Sequence, residues 1–99
     1  MQPESRITRR IISRIRERGG WATKIHGGDS FQEDGLPDIL GSYRGRSLGL
    51  EVKTSVGKLR PRQQYVLDEI TKSGGIGRVV RSVKEVDAIL DEIDREEVL

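Results

Sequence analysis

The 99-residue sequence contains no cysteine. That excludes a disulfide scaffold, thiolate-bound zinc and iron–sulfur centres. A single histidine, His26, excludes a multi-histidine metal site. With only four aromatic residues in the chain, any core must be aliphatic. No apolar run approaches the roughly 20 residues of a membrane-spanning helix. The N-terminal arginines are followed by no unbroken apolar stretch, so the start does not read as a secretory signal. These absences favour an intracellular, cytoplasmic protein. A chain this short suits one domain, taken as 1–99, because two halves would each be too small to bury a core.

What is present is charge, unevenly placed. Residues 1–26 hold seven Lys/Arg against two acids, whereas residues 84–99 hold two against seven. A basic front and an acidic tail suggest an anionic partner on one side of the fold.

The apolar spacing predicts seven elements. Ile7, Ile11, Ile12 and Ile15 form a helical stripe over 3–18, between Pro3 and Gly19–Gly20. Trp21 to His26 reads as a strand, with Trp21 expected inside, and a polar loop follows from Gly27 to Gly35. Pro37 leads into a short strand from Asp38, and Tyr43-Arg44-Gly45-Arg46 reads as a hairpin turn. A strand with clear alternation spans Ser47–Thr54. A helix spans about Pro61–Ser73, stopped by Gly74–Gly75, and Ile76–Arg81 is a strand. Ser82 and Glu85 form a capping-box pattern opening a last helix. The order α-β-β-β-α-β-α predicts an α/β fold, a mixed sheet flanked by helices.

Some residues are not explained by local structure. Glu4 points along the isoleucine stripe, where a carboxylate faces the core or a cleft beside it; it also suits the dipole of the first helical turn. In Leu48-Gly49-Leu50-Glu51-Val52-Lys53, alternation puts Gly49, Glu51 and Lys53 on one face. Asp38, after Gly35-Leu36-Pro37, begins an otherwise apolar strand. If strands 38–42 and 47–53 pair through the turn between them, Asp38, Glu51 and Lys53 converge on one sheet edge. Two carboxylates and a lysine are what magnesium-dependent phosphodiester cleavage requires. Mg²⁺ takes oxygen ligands, often one or two carboxylates with water and phosphate oxygens, and the Val52 carbonyl is a further candidate.

Pro37-Asp38, then twelve residues, then Glu51-Val52-Lys53 resembles the P-D…(D/E)-x-K signature of the restriction-endonuclease-like nuclease superfamily. With Glu4 on an opening helix, Gln63 early in the next and Val79-Val80-Arg81-Ser82 leading into the last, the chain is similar to the VRR-NUC branch over about residues 4–90. The resemblance implies a restriction-endonuclease-like core and a metal-dependent endodeoxyribonuclease. Asp38 and Glu51 would bind Mg²⁺, with Mn²⁺ as a substitute, and Lys53 would act on the attacking water. Glu4 would assist at the metal, and Gln63 would lie at the rim. Leu59-Arg60-Pro61 departs from the family, which has Ser or Thr capping that helix; the metal site is untouched, and the position of Gln63 is left open.

Between Arg44 and Arg62 stand six bases and one acid. Arg44, Arg46, Lys58, Arg60 and Arg62 therefore read as a phosphate-contacting surface. Asp34 could approach the metal; Asp29 and Glu33 read as solvated, and His26 as a packing or surface residue. The expected substrate is branched DNA such as a four-way junction. The expected active form is a homodimer joined through Val83, Val86, Ile89, Leu90 and Ile93. No small-molecule cofactor and no membrane are expected. Small stand-alone members resemble phage or mobile-element proteins. The alternatives are a non-catalytic nucleic-acid-binding module with the same fold, or an interaction protein that docks through its acidic last helix.

Overall fold

A computed structural model describes residues 3–26, 33–54 and 57–98. The elements are α1 (Glu4–Glu17), β1 (Trp21–Lys24), β2 (Ile39–Tyr43), β3 (Arg46–Val52), α2 (Pro61–Lys72), β4 (Ile76–Val80) and α3 (Val83–Val98). This is the order that the apolar spacing predicts.

The strands form one sheet in the order β1-β2-β3-β4. The first three make an antiparallel meander, and β4 joins β3 in parallel after the α2 crossover. The β2–β3 turn holds Arg44 and Gly45, both at positive φ (47° and 80°). That is the signature of a two-residue hairpin turn matched to strand twist. It fixes the register Ile39↔Leu50 through Tyr43↔Arg46.

Alternation along β3 divides the molecule into layers. Leu48, Leu50 and Val52 pack with Ile11 and Ile15 of α1 and with Val86, Ile89, Leu90 and Ile93 of α3. Each of these α3 side chains is buried within its own chain. The apolar face of α3 is therefore core, and the expected dimer interface on that helix is corrected. The acidic flank of α3 is also used internally. Arg18 reaches Asp87, Asp91 and Asp94 at 2.8–3.0 Å, and Arg14 reaches Asp87 at 2.8 Å. Ser82 caps the helix as expected, its Oγ accepting from the Glu85 N–H at 3.2 Å.

The opposite face is covered only in part. α2 packs on β3 and β4, and glycines bring it close. A Cβ at Gly77 would overlap the Leu67 carbonyl, and one at Gly49 would meet the Ile70 side chain. Over β1 and β2 no helix among the described residues covers this face, which leaves Trp21 at 52% and Leu40 at 45% exposure, beside Tyr65 at 50%. The expectation that Trp21 is internal is thus corrected: its neighbour Ala22 takes the buried face of β1. Among the described residues, no helix is long and apolar enough to cross a membrane.

Candidate active site

The β2–β3 register ends at Ile39↔Leu50, so Asp38 and Glu51 face each other just beyond the last paired residues. The backbone fastens them reciprocally. The Asp38 N–H donates to Glu51 Oε1 at 3.2 Å, and the Val52 N–H donates to Asp38 Oδ2 at 2.8 Å. Lys53, two residues on and on the same face, places Nζ 3.3 Å from Glu51 Oε2. Gln63 enters from the first turn of α2, and its Nε2 donates to that same oxygen at 2.7 Å.

Arg60 offers the α2 N-terminus no capping oxygen of the Ser/Thr kind. The helix start is fastened from the other side: Gln63 Oε1 accepts the Arg60 N–H at 2.9 Å. One amide thus holds the helix start and contacts the carboxylate. The departure at Leu59-Arg60-Pro61 does not displace Gln63.

Glu51 is only 2% exposed. Burial pushes its pKa above the ordinary value, the Asp38 charge pushes it further, and Lys53 opposes both. Two carboxylates held together, one of them disfavoured as an anion, fit a hard cation. Among the described residues, no group of three or more His, Asp or Glu could hold a metal ion. A cation here would complete its shell from backbone, water and substrate oxygens, as Mg²⁺ commonly does.

A solved structure described as "VRR_NUC domain" superimposes with a TM-score of 0.71 at 29% identity, covering 89% of this chain and 94% of that one. The chain has the VRR-NUC fold. No protein-family profile matches the sequence, and no curated protein matches it.

Within this VRR-NUC fold the other expected residues are dispersed. Glu4 begins the row that continues in Thr8, Ile11 and Ile15, but it is exposed where those three are buried. Gly20, just past the end of α1, lies against Ser42 and Tyr43 at the hairpin end of the sheet. The start of α1 therefore stands at the Asp38–Glu51 end. It does so in the α1–α3 layer, whereas Glu51 and Lys53 face the α2 layer. Val52 is buried and gives its N–H to Asp38.

The basic run from Arg44 to Arg62 is not one surface, which corrects the expectation drawn from its continuity in sequence. Arg44 and Arg46 sit at the hairpin, the far end of β3, where they pair with Asp94 and Glu96 of α3. Arg60 lies 3.7 Å from Asp34, and Arg62 lies 2.8 Å from Glu33 and stacks over Tyr65. Lys58 is exposed on the loop before α2. Asp34 and Glu33 therefore face arginines; His26 is exposed, and Asp29 lies outside the described residues.

Two residues quoted only as parts of longer segments, with no role assigned, also position the site. Arg81 donates to the carbonyls of Thr54 and Gly57, bracing the segment after Lys53 against the end of β4. Its signal is its place directly after β4. Gly35, at φ +84°, lets the chain leading to Asp38 pass under α2, where a Cβ would come within 2.9 Å of the Arg62 carbonyl. A glycine three residues before a site aspartate was the available clue.

Proposed function

We propose that this chain is a magnesium-dependent endodeoxyribonuclease that hydrolyses phosphodiester bonds, with manganese able to substitute. The observation supporting this reading is the meeting of Asp38, Glu51, Lys53 and Gln63 at one end of the sheet, tied by contacts of 2.7–3.3 Å. In this reading Asp38, Glu51 and the Val52 carbonyl would hold the ion. When bound there, such an ion would supply Lewis-acid chemistry, polarising a phosphate and lowering the pKa of water. The Lys53 ammonium orients the attacking water and offsets charge building on the phosphate. Gln63 holds Glu51 in place from the α2 side, and Glu4 assists from the start of α1. Nicking of supercoiled plasmid by the pure protein tests the reading. Cleavage is expected with Mg²⁺ or Mn²⁺ and lost in chelator, in Asp38→Asn and in Glu51→Gln. Protein that binds plasmid but never nicks it with either ion would instead be a binding module.

We further propose a homodimer acting on branched DNA. Specific protein–DNA contacts bury roughly 1,000 Å² or more of protein surface, which is much for one small domain. A two-fold dimer doubles that surface and presents two sites to two strands, as symmetric cutting of a four-way junction requires. Light scattering at micromolar concentration and paired nicks on a synthetic junction are the expected results. A monomer that cuts linear duplex as fast as a junction would refute both parts.

A further inference from the structure

The arginines most prominent in the sequence are largely neutralised by neighbouring acids in the fold. Arg44, Arg46, Arg60 and Arg62 each face a carboxylate, and on α1 so do Arg14 and Arg18. The first half of α1 differs. Arg6 and Arg9 are exposed, as is Lys84 at the start of α3, and none of the three makes an ion pair with a described residue.

These side chains border two neighbouring grooves that share Arg10 and Val83. Arg6, Arg9, Arg10 and Ser13 border a groove of about 420 Å³ that reaches Val83 and also includes the Arg14–Glu17 ion pair. Arg10 and Val83 also border a second groove of about 400 Å³, together with Arg81 and Lys84. Arg81 in turn holds the carbonyls of Thr54 and Gly57, just after Lys53. Together the two grooves reach, on the α1–α3 side, from the outer face of α1 to Arg81 at the end of the sheet that carries Asp38 and Glu51. Along α1, Arg6, Arg9 and Ser13 recur at about one helical turn, a rise of roughly 5.4 Å. A row of cations and a hydroxyl suits the phosphates of one DNA strand, which are bound mainly by such charge.

We propose that the first half of α1 and the start of α3 form the track on which duplex DNA is held beside the site, and that the hairpin arginines do not. The inference rests on the nuclease reading for the identity of its polyanion.

Binding of a fluorescein-labelled duplex, followed by anisotropy in chelator, separates it from catalysis. The triple variant Arg6→Ala/Arg9→Ala/Lys84→Ala changes only exposed side chains, and circular dichroism verifies its fold. Each lost phosphate contact removes roughly 0.9 from the slope of log affinity against log salt. The variant's slope is therefore expected to be shallower by about 2 to 3 between about 50 and 200 mM salt, with binding weaker by at least about tenfold at the lower salt. Arg44→Ala/Arg46→Ala is expected to bind like wild type. An unchanged slope in the triple variant, or the loss appearing in the hairpin variant, would overturn the track. Wild-type plasmid nicking, run alongside, distinguishes the two failures. Nicking by wild type with an unchanged slope in the triple variant ends the track alone, and a track that binds in a protein that never nicks ends the nuclease reading alone.

Discussion

Asp38 has two effects on stability that oppose each other, and two substitutions separate them. Its Oδ2 accepts the N–H of Val52, a residue 1% exposed, so water has little access to replace that bond. Its charge also makes ionised Glu51 less favourable. Asp38→Asn removes the charge and keeps an oxygen for the N–H. Asp38→Ala removes both. Both variants relieve Glu51 alike, so the difference between them isolates the hydrogen bond. Stranding a buried donor costs about 1–3 kcal/mol. In a domain of this size each kcal/mol moves Tm by roughly 4–8 °C. Thermal melts in chelator at neutral pH should place the Ala variant roughly 4–24 °C below the Asn variant, with Asn at or above wild type. Both should be inactive on plasmid while retaining DNA affinity. Equal melting of Ala and Asn would refute the anchoring of Val52. An Asn variant well below wild type would refute the charge conflict.

Other perturbations test the site from different sides. Lys53→Ala should stop cleavage while calorimetry still detects metal binding; lost metal binding would reassign Lys53 to the ion. Glu4→Gln should slow cleavage strongly with a near wild-type Tm, since exposed substitutions usually stay within about 0.5 kcal/mol; an unchanged rate would return Glu4 to a helix-dipole role. The pKa of Glu51 is raised from 4.5, chiefly by burial and then by Asp38, so the stability it contributes is present below that value and is lost as pH rises through the folded value. The chelated wild type should therefore lose Tm on the alkaline side of 4.5 relative to Glu51→Gln, and parallel profiles would contradict this. Asp87 and Asp94 have the opposite sign. Hydrogen bonds from Arg14 and Tyr43 respectively hold them below 3.8, so their contribution is lost as pH falls through that region, and Arg18→Lys should lower Tm above it with the gap narrowing in high salt.

The parts of the fold legible in the sequence were those set by local period. Alternation from Leu48 to Lys53 gave the faces of β3, and the Arg44-Gly45 turn counted the ladder back to Asp38. Together they put Asp38 across from Glu51 before any tertiary contact was known. What period does not give is which face another element covers. Trp21 and the α3 stripe were both misread for this reason, because α2 spans only half of its face of the sheet and α3 lies wholly on the other. Sequence adjacency also suggested one basic surface where the seven-residue strand β3, Arg46–Val52, carries the hairpin arginines and the Lys58–Arg62 group to opposite ends. The role of Glu4 was only half legible: its angular position held, but the stripe reaches solvent at its first residue.

The closeness of α2 to β4 sets a dimension of the Asp38–Glu51 corner that none of its polar groups controls. Leu67, whose carbonyl leaves no room for a side chain at Gly77, comes one helical turn after Gln63 on the same helix. A lift of α2 by about 1 Å would carry the Gln63–Glu51 contact beyond the usual range of a hydrogen bond. The mechanical tolerance of the site is therefore fixed at its back, by a missing methyl group on a strand that bears no reacting atom. Changes to the α2–β4 seam would alter the placement of Glu51 while every polar residue around it stayed the same.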